Sequence, residues 1–195
     1  MSVQERRERE RAQRHRLIID TARELAETEG WEAVTTRRLA ERIEYSQPVL
    51  YSHFKGKDAI IEAVALQGFE ELAAALRAAR AGVDGAEGEG AALAAVLRAY
   101  ARFAAANPVL YDAMFARATG LSFGRPDTPE PLRAGFAALL DVLGPVAGEW
   151  DPGMFTEVAW SAVHGLITLY RDGRLPPEHQ EARLNLLIAQ LQARA

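Results

Sequence analysis

TTRRLAERIEYSQPVLYSHFKGKDAI, residues 35–60, is the stretch that decides how this chain folds. It holds two short helical segments, 36–43 and 47–53, separated by Glu44, Tyr45 and Ser46. In the first, Leu39, Ala40 and Ile43 recur at the three- and four-residue spacing that lines one helix face. In the second, Ser46 is the expected N-cap, and Pro48 falls in the first turn, where a missing N–H is tolerated. Leu50 and Phe54 point inward from this helix, and Gly56 breaks the chain before another helix starts near Lys57. Two short helices that share an apolar side and meet at a three-residue turn form a helix-turn-helix. The N-terminus of the second helix is open to solvent and has the dimensions of a major-groove reader.

Working outward, a longer helix buttresses each side. Residues 12–29 carry an inner stripe of Leu17, Ile18, Thr21, Ala22, Leu25 and Ala26. Gly30 ends that helix, and Trp31 and Val34 fold back on the stripe. On the other side, Ile60, Ile61, Val64, Phe69 and Leu72 mark a helix from 57 to about 80. Residues 1–11, mostly Arg and Glu, read as a frayed helical extension or a disordered arm.

The chemistry sits on the second short helix. Its first residues are Gln47, Pro48 and Val49. A glutamine reads adenine or guanine edges, and Val49 with the Pro48 ring suits a thymine methyl. Thr36, Tyr51, His53 and Lys57 surround them with donors or positive charge for phosphate oxygens. Arg37 reaches either a base edge or the backbone. The plainer readings are a helix-terminal His53, a Tyr51 ring that belongs to the core, and ordinary surface roles for Arg37 and Gln47. Net charge is −4 over the chain, but Arg37, Arg38, Arg42, Lys55 and Lys57 outnumber Glu41 and Glu44 within 35–57. A small basic patch on an acidic body suits a protein that meets phosphates with one face.

These residues resemble the DNA-binding domain of TetR-family regulators. The pattern covers roughly residues 12–64: an aromatic after glycine, then T-x-x-x-L-A, then S-x-x-x-L-Y-x-H-F, then K-x-K. The resemblance implies phosphate contacts at Thr36, Tyr51, His53 and Lys57, and base contacts at or near Arg37, Gln47, Pro48 and Val49. Glu44-Tyr45 departs from the glycine and small apolar residue that the family usually has in the turn. Glu44 would then adopt a left-handed conformation at a cost of about 1 kcal/mol.

The remainder, 65–195, reads as a helical regulatory and dimerisation domain, with helices near 90–106, 108–119, 130–143, 152–172 and 177–193. The glycine-rich run 82–90 follows no strand and lacks the Lys-Ser/Thr of a phosphate loop, so it reads as a linker. Asp151-Pro152 is a strong helix start. The helix after it is apolar around most of its circumference, which implies burial against a second copy of the chain. Val163, Ile167, Leu184, Leu187 and Leu191 are the expected seam. Tyr100, Phe103, Tyr111, Met114, Phe115, Arg117, Trp160 and His164 are candidates for an effector pocket, apolar with a few polar groups; the same aromatics could be core alone, and His164 a buried neutral histidine with one partner. Asn107-Pro108, Leu110-Tyr111, Met114-Phe115 and 160–165, Trp-Ser-Ala-Val-His-Gly, resemble a subclass of the family named for a Trp-x-x-x-His-Gly signature. That resemblance implies dimerisation through the last two helices and, in many members, an effector pocket, without naming a ligand.

Other classes fit poorly. The sequence contains no cysteine, which removes disulfides, thiol catalysis and thiolate metal sites. His15, His53, His164 and His179 lack short ligand spacing, so no metal and no cofactor are expected. There is no paired-carboxylate or nucleophile motif, so an all-helical enzyme or carrier is disfavoured. No apolar run reaches membrane-span length and no signal peptide is evident, in keeping with a cytoplasmic protein. The expectation is an all-α homodimer of about nine helices per chain. It binds double-stranded DNA at a palindromic operator and is released by a small apolar or amphipathic effector. A DNA-binding protein that answers to no ligand is the alternative.

Overall fold

The computed structural model describes residues 2–84, 88–118 and 120–193, so three residues of the expected 82–90 linker lie outside the described residues. The described residues are all-α, in nine α-helices with short 3-10 and π turns. The chain divides into two compact units: Met1–Gly68 with Asn107–Pro129, and Phe69–Ala106 with Glu130–Ala195.

In the first unit, α1 (Val3–Glu29) runs from the start of the described chain. A capping box begins it: Glu5 N–H donates to Ser2 Oγ, and Ser2 N–H to the Glu5 carboxylate. Of the two readings of the arm, helical extension or disorder, the first holds, although the apolar stripe of α1 begins only at Ile18 and Ile19. Gly30 ends α1 at φ 83°, its N–H bonded to the Ala26 carbonyl. A 3-10 turn, Trp31–Ala33, follows, with Trp31 buried and its indole N–H donating to the Val109 carbonyl. α2 (Thr36–Arg42) starts under a Thr35 cap that accepts from the Arg38 N–H. α3 (Gln47–His53) starts at Ser46, whose side chain makes no capping bond, with proline in its first turn.

The next helix, α4 (Lys57–Ala81), passes unbroken from the first unit into the second. Within the first unit it meets α6 (Pro108–Asp112) and the π turn Ala113–Arg117 that continues it. Gly68 makes this crossing possible: a Cβ there would lie 2.7 Å from the Met114 sulfur and 2.9 Å from Leu110 Cδ1. A cut near residue 64 leaves 107–129 with the C-terminal region. Compactness places it in the first unit, because Trp31, Gly68 and Arg23, whose guanidinium bonds Asn107 Oδ1, all hold it there.

The second unit packs α5 (Gly88–Ala106), α7 (Glu130–Leu143), α8 (Pro152–Arg171) and α9 (Gln180–Gln192) around Leu93, Val96, Leu97, Leu139, Val142, Leu143 and Val163. Asp151 caps α8 by accepting from the Met154 N–H at 2.8 Å. Within the single chain α8 buries one side. Thr156, Ala159, Val163 and Ile167 form one inward stripe, whereas Met154, Val158, Leu169 and Tyr170 are exposed. Of the expected seam residues, Val163, Ile167 and Leu191 are buried within the single chain, and Leu184 and Leu187 are half-buried. Among the described residues no helix is long and apolar enough to cross a membrane.

Candidate nucleic-acid interface

The turn between α2 and α3 is built by local rules. Ile43 N–H closes α2 on Leu39, and Tyr45 N–H reaches back to the Ala40 carbonyl. Between them Glu44 sits at φ 58°, the left-handed conformation expected of it. Leu39 and Ala40 from α2, with Leu50 from α3 and Phe54 just after it, are buried beneath the turn. This fixes α3 so that Gln47, Pro48 and Tyr51 face solvent, Tyr51 at 54% exposure, with Val49 half-buried beside them. Tyr51 is thus a surface residue and not a core ring. Ser52 donates its hydroxyl to the Val49 carbonyl, 2.6 Å away, stiffening the last turn.

His53 lies at the other end of α3. Its ring centroid is 5.9 Å from that of His15 on α1, and His15 stacks on Phe54 at 4.5 Å. Both histidines are held below the usual imidazole range. Burial is the larger cause in each; Arg11 adds to both, and His15 and Arg14 add further for His53. Each ring is therefore held toward its neutral form, which a nearby anion would work against.

The basic patch counted along 35–57 looks different once partners are placed. Arg37 pairs with Glu41 at 2.9 Å, a bond that holds its guanidinium even more firmly protonated. Arg38 bonds both Glu29 oxygens at 2.8 Å, and Arg42 bonds Glu24 at 2.8 Å. The last two are staples from α2 to α1. Lys57 donates to the Trp31 carbonyl at 2.7 Å and lies 3.9 Å from Glu32. An ammonium has three donors, so Lys57 keeps N–H groups for an incoming phosphate, but it also has a structural task. Among the described residues Lys55 has no ion pair. Thr36 is half-buried at the start of α2. Of the residues expected to read bases and to hold phosphates, Arg37 and Lys57 are already partly engaged.

The expected pocket residues do not come together in one unit. Tyr111, Met114, Phe115 and Arg117 belong to the first, and Tyr100, Phe103, Trp160 and His164 to the second. The Arg117 guanidinium bonds Asp112 and, at 3.4 Å, Glu32. In the second unit the buried Tyr100 hydroxyl accepts from Trp160 Nε1 at 3.0 Å and lies 3.4 Å from His164 Nδ1. Thr168 Oγ1 is 3.4 Å from the other His164 nitrogen. Burial, then Arg171, holds His164 below the usual imidazole range. Among the described residues there is no group of three or more His, Asp or Glu placed to hold a metal ion.

Known proteins share these features. The family model for bacterial regulatory proteins of the tetR family matches residues 18–64, and the model for the tetracyclin repressor-like C-terminal domain matches residues 93–191. Tetracycline repressor protein class C of Escherichia coli is 54% identical over 48 residues, 25% of this chain and 22% of that protein. The class D repressor is 42% identical over 50 residues, 26% of this chain and 23% of that protein. The match spans less than a quarter of these relatives' length. Among solved structures, a protein with unknown function from Rhodococcus sp. RHA1 superimposes with TM-score 0.73 at 24% identity, over 91% of this chain and 92% of that one. The fatty acid degradation regulator FadR from Bacillus halodurans gives 0.67 at 14% identity, over 89% and 94%. At such identities the likeness is one of fold.

Proposed function

The chain belongs to the TetR family of bacterial regulatory proteins and is a DNA-binding transcriptional regulator rather than an enzyme, and from that premise we propose that it is a homodimeric repressor of a palindromic operator, released by a small apolar or amphipathic effector. The observation that carries the reading is the exposed start of α3. Gln47 and Pro48 stand in solvent with Val49 beside them, held there by the buried Leu50, Phe54, Leu39 and Ala40. Arg37, Gln47, Pro48 and Val49 meet base edges; Thr36, Tyr51, His53 and Lys57 meet phosphates. Operator DNA selected from a random library, followed by titration of Gln47→Ala, tests this. The variant should lose roughly 1–3 kcal/mol on operator and much less on random duplex. Equal losses on both would remove Gln47 as a reader.

A palindrome requires two copies, their recognition helices about 34–36 Å apart or a whole turn more. The exposed apolar residues of α8 support a two-fold seam. Met154, Val158, Ala162 and Leu169 fall on one face, with Leu186 exposed on α9. A stripe of this kind is uncommon on a protein that stays monomeric. Sedimentation at the single-chain mass at micromolar concentration would rule the dimer out.

Effector release is a population shift: a hundredfold loss of DNA affinity needs about 2.7 kcal/mol of ligand preference for the released state. α4, common to both units, is the element on which such a preference would act. Calorimetry with and without operator tests it, since a releasing ligand binds the free protein more tightly than the complex. Assignment to the Trp-x-x-x-His-Gly subclass rests chiefly on Trp160, His164 and Gly165. The bonds of Trp160 and His164 to Tyr100 and Thr168 favour a structural role for the two rings, anchoring α8 on α5. The protein works in the compartment that holds the DNA, the cytoplasm of a bacterium.

A further inference from the structure

We infer that the N-terminal extension of α1, residues 3–16, is a second DNA-contacting element, and that Arg7 and Arg11 neutralise phosphates beside the groove that α3 enters. This rests on the DNA-binding reading above and assigns a task to a segment that reading leaves idle.

The extension needs an explanation. Residues 2–13 are exposed throughout, and no apolar stripe holds them to the rest of the unit. Yet they are helical and deliberately started, by the Ser2–Glu5 capping box. Residues 2–16 hold six arginines, at 6, 7, 9, 11, 14 and 16, against three glutamates. The three acids have local partners. Glu5 completes the cap, Glu8 accepts from Gln4, and Glu10 lies 3.7 Å from both Arg6 and Arg14. Arg7, Arg11 and Arg16 are left, and among the described residues none of the three is in an ion pair; Arg16 lies on another side of α1.

Their position decides where that charge acts. Residues 7, 11, 14, 18, 22 and 25 lie on one side of α1 by helical spacing. Ile18, Ala22 and Leu25 are the part of this side that the unit's own core buries. Further toward the N-terminus the same side reaches α3: Arg11 Nη2 is 3.5 Å from the Ser52 carbonyl. Beyond that point the side is bare. A helix rises 1.5 Å per residue, so Arg7 stands about 6 Å past Arg11. Arg11 and Arg14 also act on His53, at the end of α3, through their charge. The extension therefore flanks the reading helix and carries positive charge along it.

The charge count in the helix-turn-helix strengthens the case. Arg37, Arg38 and Arg42 already face Glu41, Glu29 and Glu24. The basic excess read from 35–57 is largely spent inside the unit. The uncommitted positive charge nearest α3 comes from Lys55 and from the extension.

Each neutralised phosphate contributes about 0.9 to the slope of log affinity against log salt. The experiment titrates a random-sequence duplex of about 30 base pairs, near three helical turns, with the full-length protein over a range of salt. The Arg7→Gln/Arg11→Gln double variant keeps the helix, since glutamine is a good helix former. It should bind at least tenfold more weakly at about 0.1 M salt, with a slope shallower by about two per protomer. Arg16→Gln removes the same kind of charge from another side of α1 and should leave both quantities near wild type. An unchanged slope for the double variant, or an Arg16 variant that loses as much per charge, overturns the assignment while DNA binding stands. Wild-type protein that binds no duplex at any salt overturns the assignment and the DNA-binding reading together.

Discussion

The unit that carries α3 and the unit that carries α8 are both helical and both apolar inside, yet they use sequence differently. In the first, most of the side chains that build the head have one readable task. Thr35 caps, Gly30 stops, Leu39 and Leu50 fill the centre, and Gln47 looks outward. In the second, the same residue types serve two tasks on one helix. Val163 of α8 is fully buried while Val158, five residues earlier, is 66% exposed. Local signals specify a reading head; a helix with apolar residues on every side does not announce which of them belong to its own fold.

The strongest way to break that comparison is to place the same charge at both valines. Val163→Asp buries a carboxylate among apolar side chains and should cost more than about 4 kcal/mol, leaving the second unit unfolded in thermal or urea denaturation. Val158→Asp should leave the single-chain fold within about 0.5 kcal/mol, as surface substitutions do, but shift the sedimenting species toward monomer. Equal loss of folding in both would show that α8 has no outward face of its own.

A smaller effect sharpens the picture of the head. Glu44→Gly relieves a left-handed residue whose strain is about 1–2 kcal/mol, offset in part by the freedom glycine gains in the unfolded chain. Stability should rise by about 1 kcal/mol or less, and DNA affinity should change little, because Glu44 precedes the reading residues. A loss of stability would mean that the Glu44 side chain contributes contacts that outweigh the strain.

The smallest expected effect is a pH dependence shared by both units. His15, His53 and His164 are all held below the ordinary imidazole value of about 6.5, chiefly by burial. The unfolded chain therefore binds protons more readily than the folded one. The stability tied to the neutral rings is complete above the unfolded value and falls as pH drops below about 6.5, through the folded values. His164→Asn should flatten this fall for the second unit, and His15→Asn for the first. A wild-type stability that is level between pH 7 and pH 5 would contradict it. Lowering pH should at the same time tighten DNA binding if His53 faces phosphate, since the anion favours its charged form.

Much of this molecule was legible in residues 12–64. The spacing of Leu39, Ala40, Leu50 and Phe54, the stop at Gly30 and the proline after Ser46 are local signals. Helix boundaries there agree with expectation to within a residue or two, apart from the helical arm before residue 12. Glu44 in the left-handed region was also foreseeable, because a turn of three residues between two helices leaves few backbone choices. The helical state of the arm follows from a cap formed by Ser2 and Glu5, a short pattern that a run of arginines and glutamates conceals.

Tertiary structure alone decided three things. It matched Arg38 and Arg42 with Glu29 and Glu24, so a basic excess counted along the chain became a set of staples; ion pairing depends on distance in space. It placed Trp31 and Gly68 against 107–129, tying a segment distant in sequence to the DNA-binding head, because a glycine's missing Cβ and an indole N–H acquire meaning only from what lies opposite them. And it chose the inward stripe of α8, Thr156, Ala159, Val163 and Ile167, from a helix apolar all round. Periodicity can find a single buried face, but where every face is apolar only the packing of α5, α7 and α9 says which one the protomer uses.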